Sequence, residues 1–345
     1  MGESIPAEIS ANLAREDRKA YAEQRIFVLS PFNTFWTAIA AFLVLAGSYA
    51  LAAYCSGTPL IVHQGARLAI ATGTRFALIF SLLIATVLGM QRFARERERR
   101  DIMAHAAVLK GGIDDACEVT ALTPTRARLA RATLIGLAVG GALCWTIVPP
   151  APSLQSVVTY VWFVVVTLLI SILFARGVTL TRGGGRGIRE TIENKLVVDL
   201  LRVDRLSVIG RSAARSALVW FVICAVICLF FIGGRIDVFT VVLLAGCAAM
   251  GIWIFLATME SVRRKIRAAK AVELERVRAE IDAARDDPGE RLQGLLAYEA
   301  RIQAVHEWPF DQTTLVRVLA SAFILTVPWF GQAIVQYFVE HLGPK

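Results

Sequence analysis

Three groups of residues in this 345-residue chain have the types and spacing from which chemistry is made. Arg182-Gly183-Gly184-Gly185-Arg186-Gly187 has the glycine content of a phosphate cradle, in which small residues let backbone N–H groups converge on an anion. Its spacing fits neither GxxxxGK[ST] nor GxGxxG, and no buried strand precedes it, so the expectation is a flexible basic loop. Cys224 and Cys228 are four apart and share a helical face, but no histidine or acidic residue stands beside them. Small packing residues account for them better than metal ligands do. His306-Glu307 pairs an acid with a base, yet adjacent positions on a helix point apart, which suits a helix end better than a catalytic dyad. With no HExxH, no GxSxG and no paired carboxylates, the expectation is a protein that is not an enzyme and carries no cofactor or metal.

Such residues have to be positioned by helices in lipid. The chain is 56% hydrophobic with a mean hydropathy of +0.58, more than a soluble domain of this length needs for its core. Apolar stretches cover about 34–54, 68–91, 131–149, 154–175, 214–233, 238–259 and 315–339, most of them near the roughly 20 residues that cross a bilayer. The fold class expected is all-α, a polytopic transmembrane helical bundle of about seven spans. Against a net charge of +9, nucleic acid is not the expected partner, because the basic residues flank the spans.

Most of the 37 Lys and Arg fall in segments 1–33, 92–130, 176–213 and 260–314, whereas 55–67, 150–153 and 234–237 hold only Arg67 and Arg235. By the positive-inside rule the first set is cytoplasmic. The first six spans then pair as three hairpins with short outer turns, forming a membrane unit over 34–259. The first 33 residues lack the basic start, apolar core and small-residue site of a cleavable signal, so the N-terminus is expected in the cytoplasm of a bacterial inner-membrane protein. The last segment, 315–345, is interrupted by Pro328. A kinked seventh span placing the C-terminus in the periplasm is the expectation, with a re-entrant pair as the alternative. Trp308-Pro309-Phe310-Asp311 precedes it as a membrane-entry motif, Phe310 seating the helix and Asp311 capping it.

Segment 260–314 reads as a cytoplasmic helical hairpin. Val262, Ile266, Ala269, Leu274, Val277 and Ile281 recur at a helical period among charged residues, continuing out of the sixth span. Asp287, Pro288 and Glu290 then form the cap, first turn and capping-box position of a second helix whose candidate buried positions are Leu292, Leu295, Leu296, Ile302 and Val305. Ile266, Leu274, Val277 and Ile281 are the candidate partner-docking residues of this hairpin. The arginine-rich run 92–100 is expected to extend the second span as a charged helix up to Gly111-Gly112 and to meet anionic lipid head groups.

Inside the membrane the informative feature is scarcity of charge. Arg75 is the single clear ionisable candidate within a span; it either snorkels to the outer head groups or lines a polar cavity, as would the backbone broken at Pro328. Packing chemistry is richer: Gly136 and Gly140 make a GxxxG, and Gly246 and Gly251 lie in a small-residue run on span six, which suits helix contact within the chain or in a homo-oligomer. Three functions follow in order. A non-catalytic scaffold, assembly or signalling component docking a protein partner through cytoplasmic helices comes first. A passive ion channel gated by those helices comes second, and a small-solute transporter third, since no span carries a carboxylate at its middle.

Overall fold

Asn33 starts the first helix by accepting the Trp36 N–H at 3.1 Å, and the apolar run behind it continues as α1, Thr34–Cys55. The helix stops where Ser56 donates back to Ala52 and Gly57 takes a φ of +64°, a left-handed conformation suited to glycine. In the computed structural model residues 30, 32–64, 67–121, 126–147, 157–231, 238–283 and 290–306 are described. After α1 comes a small antiparallel hairpin, β1 Ile61–Gln64 and β2 Arg67–Ile70, with Ile61 opposite Ile70. The second span therefore begins later than residue 68: α2 is Thr72–Arg100. A short apolar run does not by itself distinguish strand from helix, and here pairing with β1 decides it.

The remaining elements are the short helices α3, Ile102–Ala106, and α4, Ile113–Ala121; then α5, Arg126–Ile147, and α6, Val157–Lys195. A 3₁₀ turn at Val203–Leu206 leads into α7, Ser207–Cys228. The chain ends its described part with α8, Val238–Ala283, and α9, Glu290–Ala304. Among the described residues six helices are long and apolar enough to cross a membrane, and the protein is a membrane-embedded all-α bundle. The seventh stretch 315–339 with Pro328, the Trp308-Pro309-Phe310-Asp311 motif and the Asp287 cap lie outside the described residues.

Residues 182–187 are not a loop. The triglycine run is part of α6, which stays helical without a break from Val157 to Lys195. Each helical glycine costs about 1 kcal/mol relative to alanine, but propagating an existing helix needs only one more residue fixed per hydrogen bond, so a long flanking helix carries the run through.

The core of the bundle lies between α2, α6, α7 and α8. Ile79, Leu83, Ile84, Val87 and Leu88 of α2 meet Val166 and Leu173 of α6, Trp220, Ile223, Cys224 and Ile227 of α7, and Leu244, Cys247 and Ile254 of α8. All six cysteines are free, and the Cys224 thiol donates to the Leu244 carbonyl at 3.8 Å across the α7–α8 contact. Cys224 and Cys228 are core packing residues. α1 and α5 are peripheral, exposing Leu43, Val44 and Leu51, and Leu134, Ile135 and Trp145, to the lipid side.

Glycine sets how closely α5 approaches α6. A Cβ on Gly136 would stand 2.6 Å from the Ile172 Cα, and one on Gly140 would meet Leu168 and Ser171 side chains at 3.0–3.1 Å. The GxxxG is thus used within the chain. A Cβ on Gly251 would stand 3.2 Å from the side chains of Phe221 and Trp220 of α7, whereas among the described residues nothing lies within 4 Å of a Cβ built on Gly246.

Candidate functional site

Charge and order gather at the end of the bundle where α2 finishes and α7 begins, here called the basic end. The run Arg92–Arg100 follows directly on an apolar span, so its side chains meet whichever helices end at the same level. Glu96 accepts from Arg92 Nε at 2.9 Å and from Thr34 Oγ1 at 2.7 Å, which ties the start of α1 to the end of α2. Arg97 lies over the Phe93 ring at 5.4 Å. Asp101, between α2 and α3, pairs with Arg215 of α7 at 2.6 Å, and Glu98 faces the charges of Arg95, Arg215 and Asp101. Both partners of the Asp101–Arg215 pair are largely shielded, with side chains 24% and 19% exposed, so removing one strands the other in poor solvent.

His105 sits on α3 against this pair, its Nδ1 2.9 Å from the Asp101 carbonyl oxygen. Burial pushes its pKa below the usual imidazole value of 6.5; the Asp101 carbonyl and carboxylate oppose that shift, and Arg215 and Arg211 add to it. The unfolded chain therefore binds this proton at a higher pH than the folded one does. Stability contributed by neutral His105 is complete above 6.5 and falls as the pH drops below it, until the folded imidazole itself titrates. Thermal unfolding in detergent between pH 7.5 and 5.5 is expected to show a midpoint that falls with acid, and His105→Gln is expected to remove that part of the slope. An identical slope in the variant would dismiss His105 as its source.

Below this layer the connections are stitched together. Lys110 N–H donates to the Lys195 carbonyl at 2.9 Å and Val197 N–H to the Val108 carbonyl at 3.0 Å, so the turn after α3 pairs with the chain leaving α6. Lys195 also reaches Asp115 of α4 at 3.0 Å, and this bond, with the Gly111 amide, holds the Asp115 carboxyl below its usual range. Gly112, at φ +58°, makes the turn between α3 and α4 that the sequence marks. Against this layer Val262 and Ile266 of α8 are wholly buried among Val108, Leu196, Leu206, Val208 and Ile209.

Beyond Ile266, α8 continues as a solvated arm, and α9 folds back along it. Arg278 Nε donates to Glu299 at 2.9 Å, Tyr298 Oη to Glu273 at 2.9 Å, and Lys270 Nζ to the carbonyls of Gln303 and Val305 at 2.7 and 3.1 Å. Ile302 and Val277 are the buried apolar contacts of this hairpin. Of the candidate docking residues, Ile266 and Val277 are therefore buried by the chain itself, while Leu274 and Ile281 are half-buried. Val272 is 68% exposed and Leu296 49% exposed.

No family model, characterised protein or solved structure matches this chain. Its function has to be read from its own residues. Among the described residues no three His, Cys, Asp or Glu side chains group as a metal site. Arg75 lies in the first turn of α2, at the opposite end from the charge layer, with its guanidinium carbon 5.3 Å from the Phe76 ring centroid. Phe76 and Phe80 stack against Phe230, Phe80 also meets Phe163, and Tyr49 packs on Trp162 and Phe163, making an aromatic layer at that end. The Arg75 Nε is buried there, so the aromatic ring is one of the surroundings of a partly buried guanidinium.

The ion layer around Asp101, His105 and Arg215 is not evident from the sequence as an assembled site. The signal the sequence holds is Arg215, a cation at the start of an apolar stretch that needs an acidic partner from another element.

Proposed function

We propose that this protein is a non-catalytic scaffold or signalling component of the bacterial inner membrane that docks a protein partner through its cytoplasmic helices. The observation that carries the reading is the separation of roles along the bundle. Its centre is filled by Ile, Leu, Val, Trp and Cys side chains, while the ion pairs, the short helices and the hairpin of α8 and α9 are built at one end. A path for ions or solutes needs polar groups or a water-filled constriction, whereas the inner faces of the central helices are mainly apolar and the buried Ser81, Ser171 and Thr258 hydroxyls donate to carbonyls of their own helices.

α8 supports the reading mechanically. As one helix of 46 residues, about 69 Å long, it passes from the apolar core through the cytoplasmic cluster to the exposed arm. The positive-inside rule places this arm, and the N-terminus, in the cytoplasm. Val272 and Leu296 then present apolar surface to water rather than to lipid, which is the chemistry of a docking patch. Anionic lipid head groups complement the net positive charge of the basic end.

A photo-crosslinking residue at Val272 tests this directly in native membranes. The expected result is a discrete protein adduct that disappears when Ile302→Ala loosens the hairpin. Adducts that are absent, or that persist unchanged with the hairpin released, would count against docking through these helices.

A further inference from the structure

At the end of the bundle opposite the charge layer, β1 and β2 form a ribbon of two strands. Such a ribbon is marginally stable by itself in water, so it has to lie against something. Its base does so within the chain. Leu60, the residue before β1, packs against Tyr49, Ala53 and Ala77 in the aromatic layer, and its carbonyl accepts the Ala71 N–H at 3.0 Å just before α2 begins. Ala53 lies near the end of α1 and Ala77 near the start of α2, which puts this base roughly 3–8 Å inside the ends of the two spans.

The cross-strand pair next to the base is left open. Ile61 and Ile70 stand opposite each other on one face of the ribbon, 57% and 60% exposed, and Val62 on the other face is exposed as well. Further out the residue types turn polar, through exposed His63 to the far pair of Gln64 and Arg67. From Ile61 to Gln64 the strand rises roughly 10 Å. The polar layer on each side of a bilayer core is roughly 5–8 Å deep, so the ribbon changes from apolar to polar over about the depth of one head-group layer.

Lipid already meets the bundle at this level. Leu51 and Tyr54 near the end of α1 and Trp145 near the end of α5 are all exposed, and tyrosine and tryptophan are the residues that settle at the membrane–water boundary. Ile61 and Ile70 continue that surface. The ribbon cannot sink further, because bare strand edges need water or head groups for their N–H and C=O groups and find neither in hydrocarbon.

We propose that the β1–β2 ribbon is a lipid-interface anchor that stands across the head-group layer of phospholipid at this end of the bundle. Ile61 and Ile70 lie against the tops of the acyl chains, His63 lies among hydrated head groups, and the depth of α1 and α2 in the bilayer is fixed between them.

The test puts a fluorescent amino acid in place of Ile61, Ile70 or His63, one position at a time, in the full chain in phospholipid nanodiscs, where both faces of the bilayer are open to solvent. Emission is quenched with lipids brominated high on the acyl chain, with lipids brominated near the chain end, and with aqueous iodide. Probes at Leu43, in the middle of α1, and at Val272, on the arm of α8, supply the deep and the water-exposed references. At Ile61 and Ile70 the expected loss of emission is largest with the high bromine and small with iodide, while iodide reaches the probe at His63. Iodide quenching at Ile61 and Ile70 equal to that at Val272 would overturn the proposal by leaving the whole ribbon in water. Strongest quenching by the deep bromine, or a His63 probe closed to iodide, would overturn it by sinking the ribbon into the core. Shielding of Ile61 and Ile70 from every quencher would overturn it by showing that protein, a second copy included, covers this face.

Discussion

Replacing Ile302 by alanine releases α9 from α8 and leaves the membrane bundle intact. Ile302 is wholly buried and is the one buried side chain among the described residues of α9. Truncating such an isoleucine costs about 2–5 kcal/mol through lost transfer energy and the cavity left behind. The other ties are exposed at one or both partners: the Arg278 side chain is 60% exposed, and pairs of that kind contribute about 0–1 kcal/mol. A 15-residue helix is marginal on its own in water, so once its anchor is gone these surface bonds do not hold it. Amide hydrogen exchange in 290–304 is expected to accelerate at least tenfold, while that of α2 and α7 stays as it was. Unchanged exchange in α9 would show that the hairpin does not depend on this contact.

The largest effect within the membrane is expected at Gly136. Its Cβ position is 2.6 Å from the Ile172 Cα and 2.9 Å from the Ser171 carbonyl oxygen, and backbone atoms of a helix do not step aside as a flexible side chain does. Gly136→Ala therefore has to push α5 away from α6, at a cost of about 1–3 kcal/mol from overpacking, less the roughly 1 kcal/mol that alanine gains in a helix. Gly136→Leu exceeds what the contact can absorb and separates the pair. Gly140→Ala, whose neighbours are the side chains of Leu168 and Ser171, is expected to cost less, and Gly246→Ala, with open space around it, to leave thermal unfolding in detergent unchanged or slightly improved. Equal effects at Gly136 and Gly246 would deny that close approach to α6 is what Gly136 provides.

Much of the architecture was legible because lipid imposes simple rules. Length and hydropathy located six helices, and the amphipathic period of 260–285 foretold that span six runs on into a charged arm. The errors fell where two rules compete. Gly183, Gly184 and Gly185 signal a loop by propensity, but they sit between 26 preceding and 10 following helical residues of α6, and continuity won. Leu68–Ile70 looks like the start of an apolar helix, but Ile61–Gln64 lies close enough in the chain to pair with it as a strand.

The candidate site was harder to read than the spans. A sequence shows that Glu98, Asp101 and His105 lie near one another, but not that Arg211 and Arg215, more than a hundred residues later, arrive at the same level. That meeting follows from α2 and α7 packing over their apolar lengths, so the ion layer is a consequence of bundle register rather than of any local motif. Ile266 shows the same limit. Its helical period marks a buried position, and only the arrangement of Val108, Leu196 and Leu206 around it shows that the chain itself covers it.

As a scaffold, the bundle is an apolar support that conducts nothing, and the basic end does the work. Purified protein reconstituted in liposomes, assayed for flux of small cations and anions beside Arg75→Ala, tests it most directly. Flux no greater than that of empty liposomes is expected from both proteins, each shown to be folded by its thermal transition. Selective flux from the wild-type chain that Arg75→Ala abolishes or alters would contradict it and place Arg75 on a conducting path.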